Sequence, residues 1–116
     1  MSKRGDLECL TDIREAIARI EQYTAGLNYD SFLKDTKTQD AVVRNLEILG
    51  EAVKNLSADF KKTHKNIEWK SIAGTRDRLV HDYFGVNWDI VWNVITEKLR
   101  SLTSQLQVLL KEQQDN

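Results

Sequence analysis

The chain has 116 residues, enough for one domain that buries roughly two thirds of the surface its unfolded form exposes. Seventeen Lys and Arg nearly balance eighteen Asp and Glu, which excludes a bulk polycation that coats nucleic acid without selectivity. The only cysteine, Cys9, excludes an intramolecular disulfide and a cysteine-rich zinc site. We therefore expect a single domain over residues 1–116, with 111–116 as a frayed tail. Neither histidine has metal-ligand spacing with a second histidine or cysteine, so we expect no metal, and we expect no cofactor.

The cell compartment is predicted from what the chain does not contain. No apolar run approaches the roughly 20 residues of a membrane span. The first six residues have no hydrophobic segment of the kind that a signal peptide needs. We expect a cytoplasmic protein without a membrane partner.

Helical spacing of apolar residues accounts for the first half of the chain. One stripe has the spacing 3, 4, 3 and comprises Leu10, Ile13, Ile17 and Ile20. A second has the spacing 4, 3, 4, 3 and comprises Val42, Leu46, Leu49, Val53 and Leu56. Such spacing is typical of a helix with one face in the core. Gly26 and the stretch 28–31 are expected to separate these two helices.

The second half of the chain predicts further helices. Residues 57–67 are polar and basic, and they predict a short helix followed by a turn. A helix is predicted over 68–84, and a last stripe alternates 4 and 3 through Trp88, Trp92, Ile95, Leu99, Leu102, Leu106 and Leu109. Val91 and Val94 widen the start of that stripe, so we expect it to touch more than one neighbour. Gly85 breaks the chain before this helix, and Asn87 is placed to cap it. The predicted fold class is all-α, an antiparallel bundle of four to five helices.

Residues 76–83 concentrate ionisable groups on the predicted helix 68–84. Arg76 falls in the middle of the apolar stripe, where a guanidinium needs a carboxylate, water or an anionic ligand. Asp77 is one turn before His81, so its carboxylate is placed to orient the imidazole. A plainer interpretation makes Arg76 one half of an ion pair with Glu47 or Glu51 of the second helix, and both interpretations can hold together. His64 lies in a lysine-rich turn and is expected to be solvated.

Positive charge is concentrated around the same helix. Between residues 61 and 81 the two acids are Glu68 and Asp77, and the six bases are Lys61, Lys62, Lys65, Lys70, Arg76 and Arg78. Such an excess steers a polyanion toward this end of the molecule. A solvated basic face without any ligand explains the same charges.

The motif Arg76-x4-His81-x-Tyr83 lies within IEWKSIAGTRDRLVHDYFGVNWDIVWNVI, residues 67–95, downstream of RNLEILGEAVKNLS, residues 44–57. With these flanks, residues 40–99 resemble the HepT-like members of the HEPN superfamily, the toxin halves of HEPN/MNT toxin-antitoxin pairs. The resemblance implies an all-helical HEPN-like fold, a twofold homodimer or higher oligomer, and metal-independent endoribonuclease activity on RNA.

The resemblance also implies roles for individual residues. Arg76 and His81 match the catalytic pair, and Asp77 matches the polar residue that commonly follows the arginine. Tyr83 matches the tyrosine to which an MNT-type nucleotidyltransferase antitoxin adds AMP, which inactivates the toxin. Glu51 is a supporting candidate. The RNA-binding candidates are Arg78, Lys70 and Lys65.

The chemistry of RNA cleavage is consistent with this assignment. A histidine with an ordinary pKa near 6.5 can take or give a proton at neutral pH, and an arginine fork can bind two phosphate oxygens. Within one helix Arg76 and His81 point about 140° apart. A twofold axis beside this helix would bring two copies of the motif around one cleft. The alternatives are a non-catalytic helical dimer that binds a nucleotide or the nucleotidyltransferase, and a purely structural dimer.

Overall fold

Helices follow one another along the chain in the computed structural model, which describes the backbone of residues 5–80 and 86–115 and the side chains of 5–75 and 86–113. The α-helices are α1 Asp6–Thr24, α2 Tyr29–Leu33, α3 Thr36–Asn55, α4 Ala58–Thr63, α5 Trp69–Val80, α6 Trp88–Asn93 and α7 Leu99–Asp115. A π-helical segment, Val94–Lys98, joins α6 to α7. The described residues contain no strand, so the predicted all-α class is confirmed.

The core lies between the long helices, and α1 and α3 form its centre. Helix α1 packs against α3 and α7, and α3 also packs against α5 and α2. Both apolar stripes predicted for the first half of the chain are buried, as is the part of the last stripe from Ile95 onward. The start of α1 lies beside the end of α3, because the carboxylate of Asp6 accepts hydrogen bonds from the backbone N–H and the hydroxyl of Ser57, both at 2.8 Å. Helices α1 and α3 therefore run antiparallel.

Helix α2 lies where the sequence predicted only a break. The Asn28 side chain accepts a hydrogen bond from the backbone N–H of Ser31, and the Ser31 hydroxyl lies 2.9 Å from the backbone N–H of Asn28. This reciprocal capping box starts a helix of five residues. The prediction of a plain break at 28–31 was wrong, because a helix this short shows no repeat of apolar spacing.

Aromatic contacts attach α2 to α6. Phe32 is fully buried, with its ring centroid 5.7 Å from that of Trp88 and 5.0 Å from that of Trp92. The Tyr29 hydroxyl donates a hydrogen bond to the carboxylate of Asp89, and this bond raises the pKa of Tyr29 above its ordinary value. Helix α6 follows the motif closely in sequence, so α2 fixes the first helix after the motif.

The last helical stretch begins at the predicted cap and includes the π-helical segment Val94–Lys98. Asn87 caps it as predicted, because its side chain accepts a hydrogen bond of 3.2 Å from the backbone N–H of Ile90. Val91 and Val94 are buried, in line with the predicted wide stripe. Helix α7 continues to Asp115, and the frayed tail at 111–116 stays a prediction. No helix among the described residues is both long and apolar enough to cross a membrane.

We predict that Phe32→Ala lowers the free energy of unfolding by about 3 kcal/mol or more, because it leaves a cavity between α2 and α6. Urea denaturation followed by circular dichroism measures this change. Leu33→Ala is the matched control on the same helix, since Leu33 is 41% exposed; we expect a change within about 0.5 kcal/mol. Equal losses for the two variants would contradict this account of α2.

Candidate functional site

The helix that carries the motif, α5, is fixed by one buried face. Trp69 is 6% exposed and Thr75 is 5% exposed, while Ile72 between them is half-buried. The indole N–H of Trp69 donates to the backbone oxygen of His64 at 3.0 Å, and the Thr75 hydroxyl donates to the backbone oxygen of Ser71 at 3.2 Å. Ile72 and Thr75 border a small gap shared with Leu46 and Leu49 of α3. The helix thus lies with a defined side against the core.

Most of the predicted site residues lie outside the described side chains. The backbone of α5 continues through Arg76, Asp77 and Arg78 to Val80, and their side chains are not among those described. His81 and Tyr83 lie in the segment 81–85, which is outside the described residues altogether, as is the predicted end of the helix at 84. The roles assigned to these five residues stay predictions. Helix α5 starts at Trp69, one residue after the predicted start.

The other histidine, His64, is held in the turn before α5. Its Nδ1 lies 3.0 Å from the backbone oxygen of Phe60, and its ring centroid lies 4.3 Å from that of Phe60. Its Nε2 is 3.7 Å from a carboxylate oxygen of Glu112 in α7. The expectation of a solvated His64 was therefore wrong, since its side chain lies against the Phe60 ring and is only 20% exposed. His64 thus lies between Phe60 of α4 and Glu112 of α7, next to the start of α5.

A shallow basic depression lies at the start of α5. Its volume is about 720 Å³, and it is lined by Lys61, Lys65, Ile67, Glu68, Trp69, Lys70 and Ser71. Lys61 is partly committed to the fold, because its Nζ donates to the backbone oxygen of Val53 at 3.3 Å. Lys65 and Lys70 are exposed. Three ammonium groups against one carboxylate make this surface attractive to anions.

Glu51 lies in a different place, in a cleft of about 390 Å³ between α1 and α3. The cleft is lined by Cys9, Asp12, Arg44, Glu47, Ile48, Glu51, Ala52 and Asn55. Glu51 is exposed and Glu47 is half-buried. The supporting role of Glu51, and the ion pair of Arg76 with either glutamate, stay predictions. In the described part of the chain, no three His, Cys, Asp or Glu side chains come together in a group that could hold a metal ion.

The structure also contains a polar groove that the sequence did not predict. The polar groove lies between the start of α5 and the stretch from the π-helical segment into α7, and its volume is about 340 Å³. It is lined by Asn66, Glu68, Ser71, Ile72, Glu97, Lys98, Ser101, Leu102 and Gln105. No sequence pattern indicates it, because residues 66–72 and 97–105 meet only through the packing of the helices.

Comparison with known proteins relates this arrangement to a family. The model of the family described as "Ribonuclease HepT-like" matches residues 13–109. The chain belongs to the HepT-like ribonuclease family. The family that the motif Arg76-x4-His81-x-Tyr83 predicted is thereby confirmed. No solved structure gives a significant match to the chain.

Three curated relatives align with this chain over most of their length. "Probable ribonuclease HepT" of Thermococcus cleftensis is 45% identical over 109 residues, which cover 94% of this chain and 99% of the relative. "Putative RNase MJ0127" of Methanocaldococcus jannaschii is 40% identical over 112 residues, or 97% of this chain and 93% of the relative. "Putative RNase TTE0752" of Caldanaerobacter subterraneus is 44% identical over 88 residues, or 76% of this chain and 79% of the relative.

Proposed function

We propose that this HepT-like chain is a metal-independent endoribonuclease that acts in the cytoplasm. The observation that carries the proposal is the basic depression on the helix that bears the family motif. Lys70 is exposed at the start of α5, and Asp77 follows it by seven residues, which is two turns further along the same side of the helix. An RNA backbone bound by Lys65 and Lys70 would therefore extend toward the motif, about 10 Å away.

The proposed reaction needs one cation and two proton transfers at the scissile phosphate. A base takes the proton from the ribose 2′-hydroxyl, whose oxygen attacks phosphorus while the bond to the 5′-oxygen breaks. An acid gives a proton to that leaving oxygen. We assign the proton transfers to His81 and the stabilisation of the phosphorane charge to Arg76. Asp77 orients the imidazole, Glu51 supports the arginine, and Arg78 adds a contact to the RNA backbone.

The proposed site is shared between two copies of the chain. Arg76 and His81 are five residues apart, so on one helix they diverge by about 140° and do not converge on one phosphate. In a twofold dimer with the two α5 helices near the axis, the arginine of one copy faces the histidine of the other. The homodimer, or a larger assembly built from it, is then the active enzyme.

We predict that the protein cleaves a single-stranded RNA in the presence of EDTA and that His81→Ala reduces the rate by about a hundredfold or more, because no other group moves the protons. Gel analysis of end-labelled RNA measures the cleavage. His64→Asn is the matched control, since asparagine retains a hydrogen-bond donor near the position of Nδ1, and we expect it to keep most of the activity. Equal activity of wild type and His81→Ala would contradict the proposal and would indicate a contaminating nuclease.

We propose further that the chain is the toxin of a HEPN/MNT pair and that its partner is a nucleotidyltransferase antitoxin. In the proposed step the Tyr83 oxygen attacks the α-phosphorus of ATP, the phenolic proton is lost and pyrophosphate leaves. The product carries a phosphodiester charge and a nucleoside two residues from His81 in sequence. Such a group fills the cleft that RNA needs and offers Arg76 a competing anion.

We predict that co-expression with an MNT-type nucleotidyltransferase adds one AMP unit per chain and abolishes RNA cleavage. Intact-mass spectrometry measures the addition. Tyr83→Phe should remain unmodified, whereas Tyr23→Phe, which removes an exposed tyrosine at the end of α1, should be modified like wild type. Modification of Tyr83→Phe to the wild-type extent would overturn the assignment of the modified residue.

A further inference from the structure

We infer that the polar groove between α5 and α7 binds one nucleobase of the RNA strand and prefers guanine to uracil. The inference rests on the proposed function, to which it adds a base preference. It concerns described side chains only, and none of them belongs to the motif 76–83.

The size and lining of the polar groove suit a flat, mostly neutral group. Its volume of about 340 Å³ falls at the lower end of the range for small-molecule sites. Ile72, which is half-buried, provides apolar surface, and the amides of Asn66 and Gln105 provide hydrogen-bonding groups. Proteins bind unpaired RNA bases in this way, with apolar contact to the ring and hydrogen bonds to its edges.

The charged groups in the polar groove favour guanine over uracil. Glu68 and Glu97 supply carboxylate acceptors, and Lys98 supplies a donor. Guanine presents two adjacent donors, N1–H and the N2 amino group, beside the acceptor O6, so a carboxylate and an ammonium group complement its edge. Uracil presents one N–H between two carbonyl oxygens, and carboxylates repel those oxygens. The arrangement therefore favours guanine over uracil.

The position of the polar groove ties it to the proposed RNA path. It shares Glu68 and Ser71 with the basic depression, so the two surfaces are continuous. Lys65 and Lys70 attract the charged backbone, while the groove, with two carboxylates and one ammonium group, suits an uncharged base. The anionic RNA backbone and the uncharged base would therefore bind to different surfaces, the backbone to the lysines and the base to the polar groove.

The π-helical segment gives independent support. Glu97 and Lys98 both lie within Val94–Lys98, where the backbone N–H of Leu99 bonds to the oxygen of Val94, five residues back. Such a turn contains an extra residue and shifts the side chains that follow, and π turns often occur at functional sites. Here it lies where two charged side chains reach the polar groove.

The inference is tested by Glu97→Gln, which removes the carboxylate charge with little change in size. The matched control is Glu15→Gln, the same substitution at an exposed position of α1 away from the polar groove. Each protein cleaves a pool of short random RNAs, and the cut ends are sequenced. We expect wild type to enrich guanine at one fixed position from the cut, and Glu97→Gln to reduce that enrichment about fivefold or more while Glu15→Gln retains it. No base enrichment in wild type, or the same enrichment in Glu97→Gln, would overturn the inference.

A binding measurement separates this inference from the proposed function. Calorimetric titration of folded wild type with 5′-GMP and 5′-UMP should show about fivefold tighter binding of GMP, and Glu97→Gln should remove the difference. Failure of wild type to cleave RNA would refute the proposed function and leave this titration able to decide on the polar groove. Equal affinity for the two nucleotides, or no binding of either, would refute the inference even if RNA is cleaved.

Discussion

The packing of α5 against α3 is the constraint on which the functional arrangement depends. Trp69, Ile72 and Thr75 turn one side of α5 toward the core, and the hydrogen bond from Trp69 to the turn at His64 fixes where the helix begins. Lys70 is consequently left in solvent at the start of the helix. Substitutions on the buried side of α5 would therefore alter the position of the motif as well as the stability of the fold.

Two surfaces with different chemistry result from this placement. The basic depression collects ammonium groups at the start of α5, and the adjoining polar groove combines amides, hydroxyls and carboxylates with one ammonium group and some apolar surface. A polynucleotide needs both kinds of surface, since its backbone is anionic and its bases are neutral hydrogen-bonding groups. The aromatic contacts of Phe32 with Trp88 and Trp92 attach α2 to α6, and so they fix the chain just after the motif in sequence.

The sequence predicted the long helices, in which the spacing of apolar residues repeats, and the family that the motif identifies. The long apolar stripes were correctly assigned to helices because spacings of three and four recur over several turns, and the cap at Asn87 follows from a local rule. Helix α2 was not predicted because it is too short to show a repeat of apolar spacing. The π-helical segment was not predicted because the 4, 3 alternation of apolar residues continues through Ile95 and Leu99. The partial burial of His64 and the polar groove both depend on contacts between segments that are distant along the chain, and spacing along the sequence does not reveal such contacts.

The central claim is that arginine and histidine from two copies of α5 act on one phosphate. It is tested most directly by co-expressing an Arg76→Ala chain and a His81→Ala chain with different affinity tags and purifying the mixed dimer. The account predicts that each variant alone is inactive and that the mixed dimer, with one of its two composite sites intact, recovers about half of the wild-type cleavage rate. A mixed dimer as inactive as either parent, or a monomeric protein that cleaves RNA at the wild-type rate, would contradict it.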